Sequence, residues 1–155
     1  MSKTEVGRKA PRLSLPSTSG ERFALADARG SNLVVYFYPK DNTTGCTREA
    51  QDFRELHGAF RKANAIVVGI SPDSLESHHK FRAKFKLPFA LLSDEDRSAC
   101  ELFDVIREKS MYGRKFMGVE RSTFLIDAEG QLRREWRKVK VDGHAAEVLE
   151  AVKSL

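Results

Sequence analysis

The hydrophobic positions of this chain fall into short apolar runs separated by segments with helical periodicity. The run at 32–38 is rich in β-branched and aromatic residues and ends at Pro39. Such a run is typical of a strand that is buried on both faces, at the centre of a sheet. Three shorter runs predict further strands: 65–70, 89–92 and 122–126.

Helices are predicted where apolar residues recur three or four positions apart. The first helix begins near Cys46, and one of its faces carries Ala50, Phe53, Leu56 and Phe60. Ser74 is in position to cap a second helix, which ends before Pro88. A short third helix holds Cys100, and the last helix spans about 143–153.

Turn residues at 17–23 predict a small hairpin near the N-terminus, and those at 127–130 predict a hairpin leading into 131–138. Strands that alternate with helices and then end in a hairpin indicate an α/β fold with a mixed central β-sheet flanked by helices. Neither a repeat nor a linker divides the sequence, so one domain over 1–155 is predicted.

Charge and composition exclude several classes of protein. The 27 basic and 22 acidic residues give a formal net charge of +5, but they are interleaved, which is typical of a solvated surface rather than a nucleic-acid interface. No apolar stretch approaches the roughly 20 residues that cross a bilayer. The start of the chain lacks the apolar run of a secretory signal, so a cytoplasmic location is expected.

Candidate chemistry concentrates around one of the two cysteines, Cys46 and Cys100. Cys46 lies where a strand passes into a helix N-terminus, and the unpaired N–H groups and dipole there stabilise a thiolate. Thr43 brings a hydroxyl to the same pocket, where it could donate to the sulfur or to a bound oxygen. Pro39 fixes the loop and shields one side from water.

The spacing Pro-x-x-x-Thr-x-x-Cys that ends at Cys46 resembles the peroxiredoxins. The segments 36–40 and 120–127 are similar to the bacterioferritin-comigratory, or Q-type, subgroup. This resemblance implies a thioredoxin-like fold with an N-terminal hairpin extension. It also implies that Arg121 is the active-site arginine, which donates to the thiolate and to a bound peroxide.

The activity implied by the resemblance is reduction of hydrogen peroxide and organic hydroperoxides, which leaves a sulfenic acid on Cys46. The expected reductants are thioredoxin, glutaredoxin or a low-molecular-weight thiol, and the expected oligomeric state is a monomer. Glu49 has two interpretations: it orients Arg121, or it completes a capping box with Cys46 at the cap.

Q-type relatives usually carry a resolving cysteine at one of two positions, and this chain has Gln51 and Arg82 there instead. A one-cysteine mechanism with an external thiol is therefore the main hypothesis. Cys100 is expected to be a buried structural residue, with resolution of Cys46 by Cys100 as the alternative. A non-catalytic binding or holdase module on the thioredoxin fold is the rival from another class.

No cofactor or metal is predicted. The glycines form no nucleotide-binding motif. None of the four histidines has metal-ligand spacing with the cysteines. They are His57, His78, His79 and His144. The pair 78–79 is expected to lie partly exposed on a helix.

Overall fold

A five-stranded mixed sheet organises the residues that the computed structural model describes, 4–155. Its five strands are β3 (Asn32–Phe37), β4 (Ala65–Ser71), β5 (Ala90–Ser93), β8 (Ser122–Ile126) and β9 (Leu132–Trp136). The strand order is β5-β4-β3-β8-β9, with β3, β4 and β5 parallel and with β8 and β9 each antiparallel to its neighbour. The predicted position of β3 at the centre of the sheet is confirmed.

The two faces of β3 contribute to two separate hydrophobic cores. Val34 and Tyr36 belong to one core, whereas Leu33 and Val35 belong to the other. Successive side chains of a strand point to opposite faces, so the two cores lie on opposite sides of the sheet. This division explains why the run is apolar throughout rather than alternating.

Five α-helices of the described residues flank the sheet: α1 (Thr44–Glu55), α2 (His57–Lys62), α3 (Leu75–Phe85), α4 (Ser98–Leu102) and α5 (His144–Lys153). The prediction of one continuous helix through Phe60 is wrong, because the backbone leaves helical geometry at Leu56, with φ −97° and ψ 3°. Phe60 is nevertheless fully buried. The predicted cap of α3 is confirmed, since the hydroxyl of Ser74 accepts the N–H of Ser77 at 3.1 Å.

Two small hairpins complete the fold. The predicted N-terminal hairpin pairs β1 (Ser14–Leu15) with β2 (Phe23–Ala24), and a short 3₁₀ helix follows at Leu25–Ala28. The hairpin of β6 (Ile106–Met111) and β7 (Arg114–Val119) was not predicted. Most of its side chains are at least partly exposed, so it lacks the apolar alternation that marks a half-buried strand.

Two expectations about side-chain environment have different outcomes. His79 is exposed, but the expectation for His78 is wrong, because that ring is fully buried beneath the loop that precedes α1. Phe81 and Phe89 are core residues at 3% and 4% exposure, and Phe85 is partly buried against the same core. Within 4–155, no helix is both long enough and apolar enough to span a membrane.

Candidate active site

Cys46 lies in the first turn of α1, directly beyond the loop that follows the central strand. Thr43 is the N-cap, and the backbone N–H of Thr47 donates to the carbonyl of Thr43 at 2.8 Å. The N–H groups before Thr47 have no intrahelical partner, and they form the positive end of the helix. Cys46 is only 2% exposed, so its sulfur lies in this electropositive, largely dry environment.

Arg121 reaches Cys46 from the segment between β7 and β8. Its Nη2 donates to the Cys46 sulfur at 3.3 Å, and its Nη1 donates to Oε1 of Glu49 at 2.6 Å. Burial opposes the charge of Arg121, but Glu49 and Cys46 raise its pKa above the usual value, so the guanidinium stays positive. A fixed positive charge therefore touches the candidate nucleophile.

Glu49 holds the other end of that guanidinium and is itself 1% exposed. It stands three residues after Cys46, so both side chains share one face of α1. The capping-box interpretation is wrong, because the cap is Thr43 and the carboxylate binds Arg121. Burial raises the pKa of Glu49 to about 7, and Arg121 opposes this increase. Its Oε2 atom is buried and lacks a hydrogen-bond partner among the described residues.

Thr43 and Pro39 belong to the loop that leads from β3 into α1. The Thr43 hydroxyl donates to the carbonyl of Lys40 at 2.9 Å, which differs from the expected donation toward the sulfur. This bond uses the single hydroxyl proton, so the remaining lone pairs of Oγ1 are available to accept a hydrogen bond. Pro39 is half-buried immediately after Tyr38, whose N–H binds the carbonyl of Ile70 on β4.

Gly45 allows the guanidinium of Arg121 to approach. A Cβ added at this position would lie 3.2 Å from Nη2 of Arg121, which is tighter than an ordinary contact. We expect Gly45→Ala to displace the guanidinium and to slow the reaction of Cys46 with peroxide about tenfold, because small misplacements of a catalytic group are costly. Stopped-flow peroxide consumption measures this rate.

Gly58→Ala in α2 is the matched control, since a Cβ there would meet nothing within 4 Å. Both substitutions replace a helical glycine and carry a similar gain in helix propensity of about 1 kcal/mol. Equal peroxide rates for the two variants would contradict a role for close approach at Gly45.

A buried polar network supports the loop between β3 and α1, and the sequence did not predict this network. Asp41 accepts the Tyr38 hydroxyl at 2.6 Å and lies 2.7 Å from Nδ1 of His78. Nε2 of the same ring lies 2.9 Å from the carbonyl of Leu92. A carbonyl only accepts, so Nε2 carries a hydrogen, and Nδ1 shares a proton with Asp41. The network ties the loop to α3 and β5.

The same residues include a group whose spacing could hold a metal ion. Ligand atoms of Asp41, Asp73 and His78 lie within 4.8 Å of one another. However, both ring nitrogens of His78 already have partners, and Asp73 accepts the backbone N–H of Asp41 at 2.8 Å. Hydrogen bonds account for the arrangement without an ion, and the absence of a metal stays a prediction.

Cys100 lies on α4, in the core on the side of the sheet opposite Cys46. It is fully buried, and both cysteines are free thiols. Burial raises the pKa of the Cys100 thiol, and a hydrogen bond to Asp94 adds to this effect. Cys100 therefore has the environment of an unreactive core residue.

The contact between Arg121 and the Cys46 sulfur at the N-terminus of α1, on a mixed sheet flanked by helices, defines a class of protein, the cysteine-dependent peroxidases of the thioredoxin-like fold. The sequence matches the AhpC/TSA family over residues 6–135, and the chain belongs to this family.

Curated and solved relatives refine that assignment. The chain is 52% identical to peroxiredoxin Bcp of Bacillus subtilis over 151 residues. This alignment covers 97% of this chain and 96% of the relative. It is 47% identical to a solved peroxiredoxin Q of Xanthomonas campestris, with a TM-score of 0.90 and coverage of 97% and 98%. A second structure from that organism, at 46% identity and a TM-score of 0.89, concerns the alkyl peroxide reduction activity of its bacterioferritin comigratory protein. The resemblance to Q-type peroxiredoxins, the thioredoxin-like fold and the thiol peroxidase function are confirmed.

Proposed function

We propose that Cys46 is the peroxidatic nucleophile and that Thr43, Arg121 and Pro39 form its site. The Cys46 thiolate attacks the terminal oxygen of a hydroperoxide, the O–O bond breaks, and the remaining oxygen takes up a proton and leaves as water or an alcohol. Cys46 becomes a sulfenic acid, two electrons more oxidised than the thiol. The contact between the Arg121 guanidinium and the Cys46 sulfur is the observation that carries this proposal.

The two polar neighbours of Cys46 have complementary tasks in this scheme. Arg121 stabilises the negative charge that spreads from sulfur onto the breaking O–O bond. Thr43 accepts a hydrogen bond from the terminal O–H of the peroxide, because its own proton is donated to the carbonyl of Lys40. Glu49 is a positioning residue, since it touches Arg121 rather than the reacting atoms. A simple binding module would have no use for a guanidinium held against a buried sulfur.

The proposed catalytic cycle uses one cysteine. Cys46 and Cys100 belong to different cores, with the sheet between them, so a disulfide between them would require extensive unfolding. The sulfenic acid is therefore reduced by an external thiol: thioredoxin, glutaredoxin or a low-molecular-weight thiol. A monomeric state, a cytoplasmic location and a single domain stay predictions.

Oxidation by one equivalent of peroxide, in the presence of a sulfenic-acid trap such as dimedone, tests this proposal. We expect mass spectrometry to find the adduct on Cys46 in the wild type and in Cys100→Ser alike. Turnover of Cys100→Ser with dithiothreitol should match that of the wild type within about twofold, because the buried Cys100 thiol, with its raised pKa, does not react.

Cys100→Ala is the second variant, because it keeps a small apolar side chain in the core if serine disturbs folding. An intramolecular disulfide in the non-reducing mass spectrum of the wild type would overturn the one-cysteine cycle. Absence of an adduct on Cys46 would overturn the assignment of the nucleophile.

A further inference from the structure

Exposed apolar side chains cluster on the β6–β7 hairpin. Seven large hydrophobic residues are exposed among those that the structure describes, and four of them lie within 106–119. These four are Met111, Tyr112, Phe116 and Met117, with exposures of 59%, 98%, 43% and 52%. Single exposed apolar residues are ordinary on protein surfaces, but a cluster on one projecting element marks a contact surface.

The strand register separates these side chains into two faces. Lys109 pairs with Phe116, and Met111 pairs with Arg114, so these four side chains share one face. Met117 pairs with Glu108 and lies on the other face. A Cβ built at Gly118 would contact both Lys109 and Phe116, which agrees with this arrangement. We call the side chains of Met111, Arg114 and Phe116 the hairpin face.

The hairpin face lies on the hairpin whose second strand leads into the Cys46 site. Strand β7 ends at Val119, two residues before Arg121, whose guanidinium contacts the Cys46 sulfur. The ammonium of Lys109 binds the carbonyl of Val119. Partial burial and the nearby guanidinium of Arg121 lower the pKa of Lys109, and Cys46 acts in the opposite direction. Lys109 thus joins the hairpin face to the active site.

The charge of the hairpin limits what can bind there. Its sequence carries four basic residues and one acidic residue: Arg107, Lys109, Arg114, Lys115 and Glu108. Lys115 lies 3.6 Å from Glu108, whereas the exposed Arg114 makes no ion pair with any described residue. A partner that covers Met111 and Phe116 would therefore place a carboxylate opposite Arg114.

We propose that the hairpin face is the docking surface for a protein dithiol reductant with an apolar contact patch and an acidic rim. This inference rests on the proposed one-cysteine cycle, in which the reducing thiol must come from solvent. Because Cys46 is only 2% exposed, a protein reductant needs a contact surface beside the site to hold its thiol there.

The redox step is balanced by the two thiols of the partner. One partner thiolate attacks the Cys46 sulfur, the S–O bond breaks, and the hydroxyl leaves as water after taking up a proton. The second partner thiol then attacks the partner's sulfur in the mixed disulfide, which releases the Cys46 thiolate and leaves a disulfide in the partner. The partner supplies both electrons.

Steady-state peroxide reduction, driven by thioredoxin with its reductase and NADPH, tests the proposal. We expect the double variant Met111→Ala, Phe116→Ala to raise the KM for thioredoxin about tenfold, because apolar anchors dominate such contacts. Arg114→Glu should raise it similarly, with the loss largest at low salt. Turnover with dithiothreitol and the rate of Cys46 oxidation by peroxide should not change in either variant.

Met117→Ala is the matched control, because Met117 is equally apolar and exposed but lies on the other face. An equal rise in KM for Met117→Ala, or an unchanged KM in the hairpin-face variants, would overturn the proposal. Slower oxidation of Cys46 in those variants would assign the face to peroxide binding, and a dimer dissociated by them in sedimentation would assign it to self-association. If wild-type Cys46 is not oxidised by peroxide at all, the proposed function itself fails.

Discussion

Replacing Arg121 by methionine should lower the second-order rate constant of Cys46 with hydrogen peroxide by about two to three orders of magnitude. Removing one preorganised donor from a developing negative charge has an effect of this size in other enzymes. Arg121 also contacts the sulfur directly, at 3.3 Å from Nη2, so the variant loses stabilisation of both the thiolate and the transition state. Stopped-flow measurement under single-turnover conditions isolates this step from reduction.

Arg121→Lys separates charge from geometry. A lysine ammonium keeps the positive charge but cannot present two parallel N–H groups, one to Glu49 and one to Cys46. We expect this variant to recover part of the lost rate, roughly tenfold above Arg121→Met. Arg137→Met is the control, because Arg137 is also largely buried but donates to the carbonyls of Phe103 and Asp104. A rate for Arg121→Met close to that of Arg137→Met would contradict the role given to Arg121.

The central sheet and most helices could be predicted because their residues carry a local signal. The run at 32–38 is apolar on both faces since each face packs in its own core. The β6–β7 hairpin carries no such signal, because most of its side chains face solvent. Its turn places Tyr112 and Gly113 at positive φ. Tyrosine is not typical of such a turn position, where asparagine, aspartate or glycine is usual, so the sequence did not predict the turn.

The candidate site divides in the same way between local and distant contacts. Glu49 could be linked to Cys46 from helical spacing alone. Arg121 lies 75 positions from Cys46, so only the family resemblance pointed to it. The contact between Asp41 and His78 spans 37 positions and joins a loop to a helix, and neither residue has a neighbour in sequence that predicts the pairing. Tertiary structure alone revealed this support for the loop.

Two buried groups near the site should make the free energy of unfolding respond to pH in opposite directions. Burial raises the pKa of Glu49 from 4.5 to about 7, so the folded state favours the protonated carboxyl. This contribution to stability is complete below about pH 4.5 and is lost as the pH rises through 7. Burial lowers the pKa of His144 from 6.5 to about 4, so that contribution is present above pH 6.5 and is lost as the pH falls through 4.

Between pH 4.5 and 6.5 the two contributions nearly cancel, and single substitutions should expose each of them. Glu49→Gln removes the carboxyl, so its stability relative to the wild type should rise by about 3 kcal/mol across this interval, at 1.36 kcal/mol per pH unit. His144→Gln should show a relative fall of similar size. Urea unfolding at several pH values measures both, and differences from the wild type remove the shared contributions of other titrating groups.

The double variant Glu49→Gln, His144→Gln should regain the pH response of the wild type over this interval, because both opposing groups are then absent. Glu49→Gln should also react more slowly with peroxide, about tenfold, since a neutral amide anchors Arg121 less firmly than a carboxylate. Above pH 7 the ionised Glu49 therefore costs stability while it holds the guanidinium at Cys46. A Glu49→Gln protein with the pH response of the wild type would mean that this carboxyl is not the buried, pKa-shifted group that the geometry indicates.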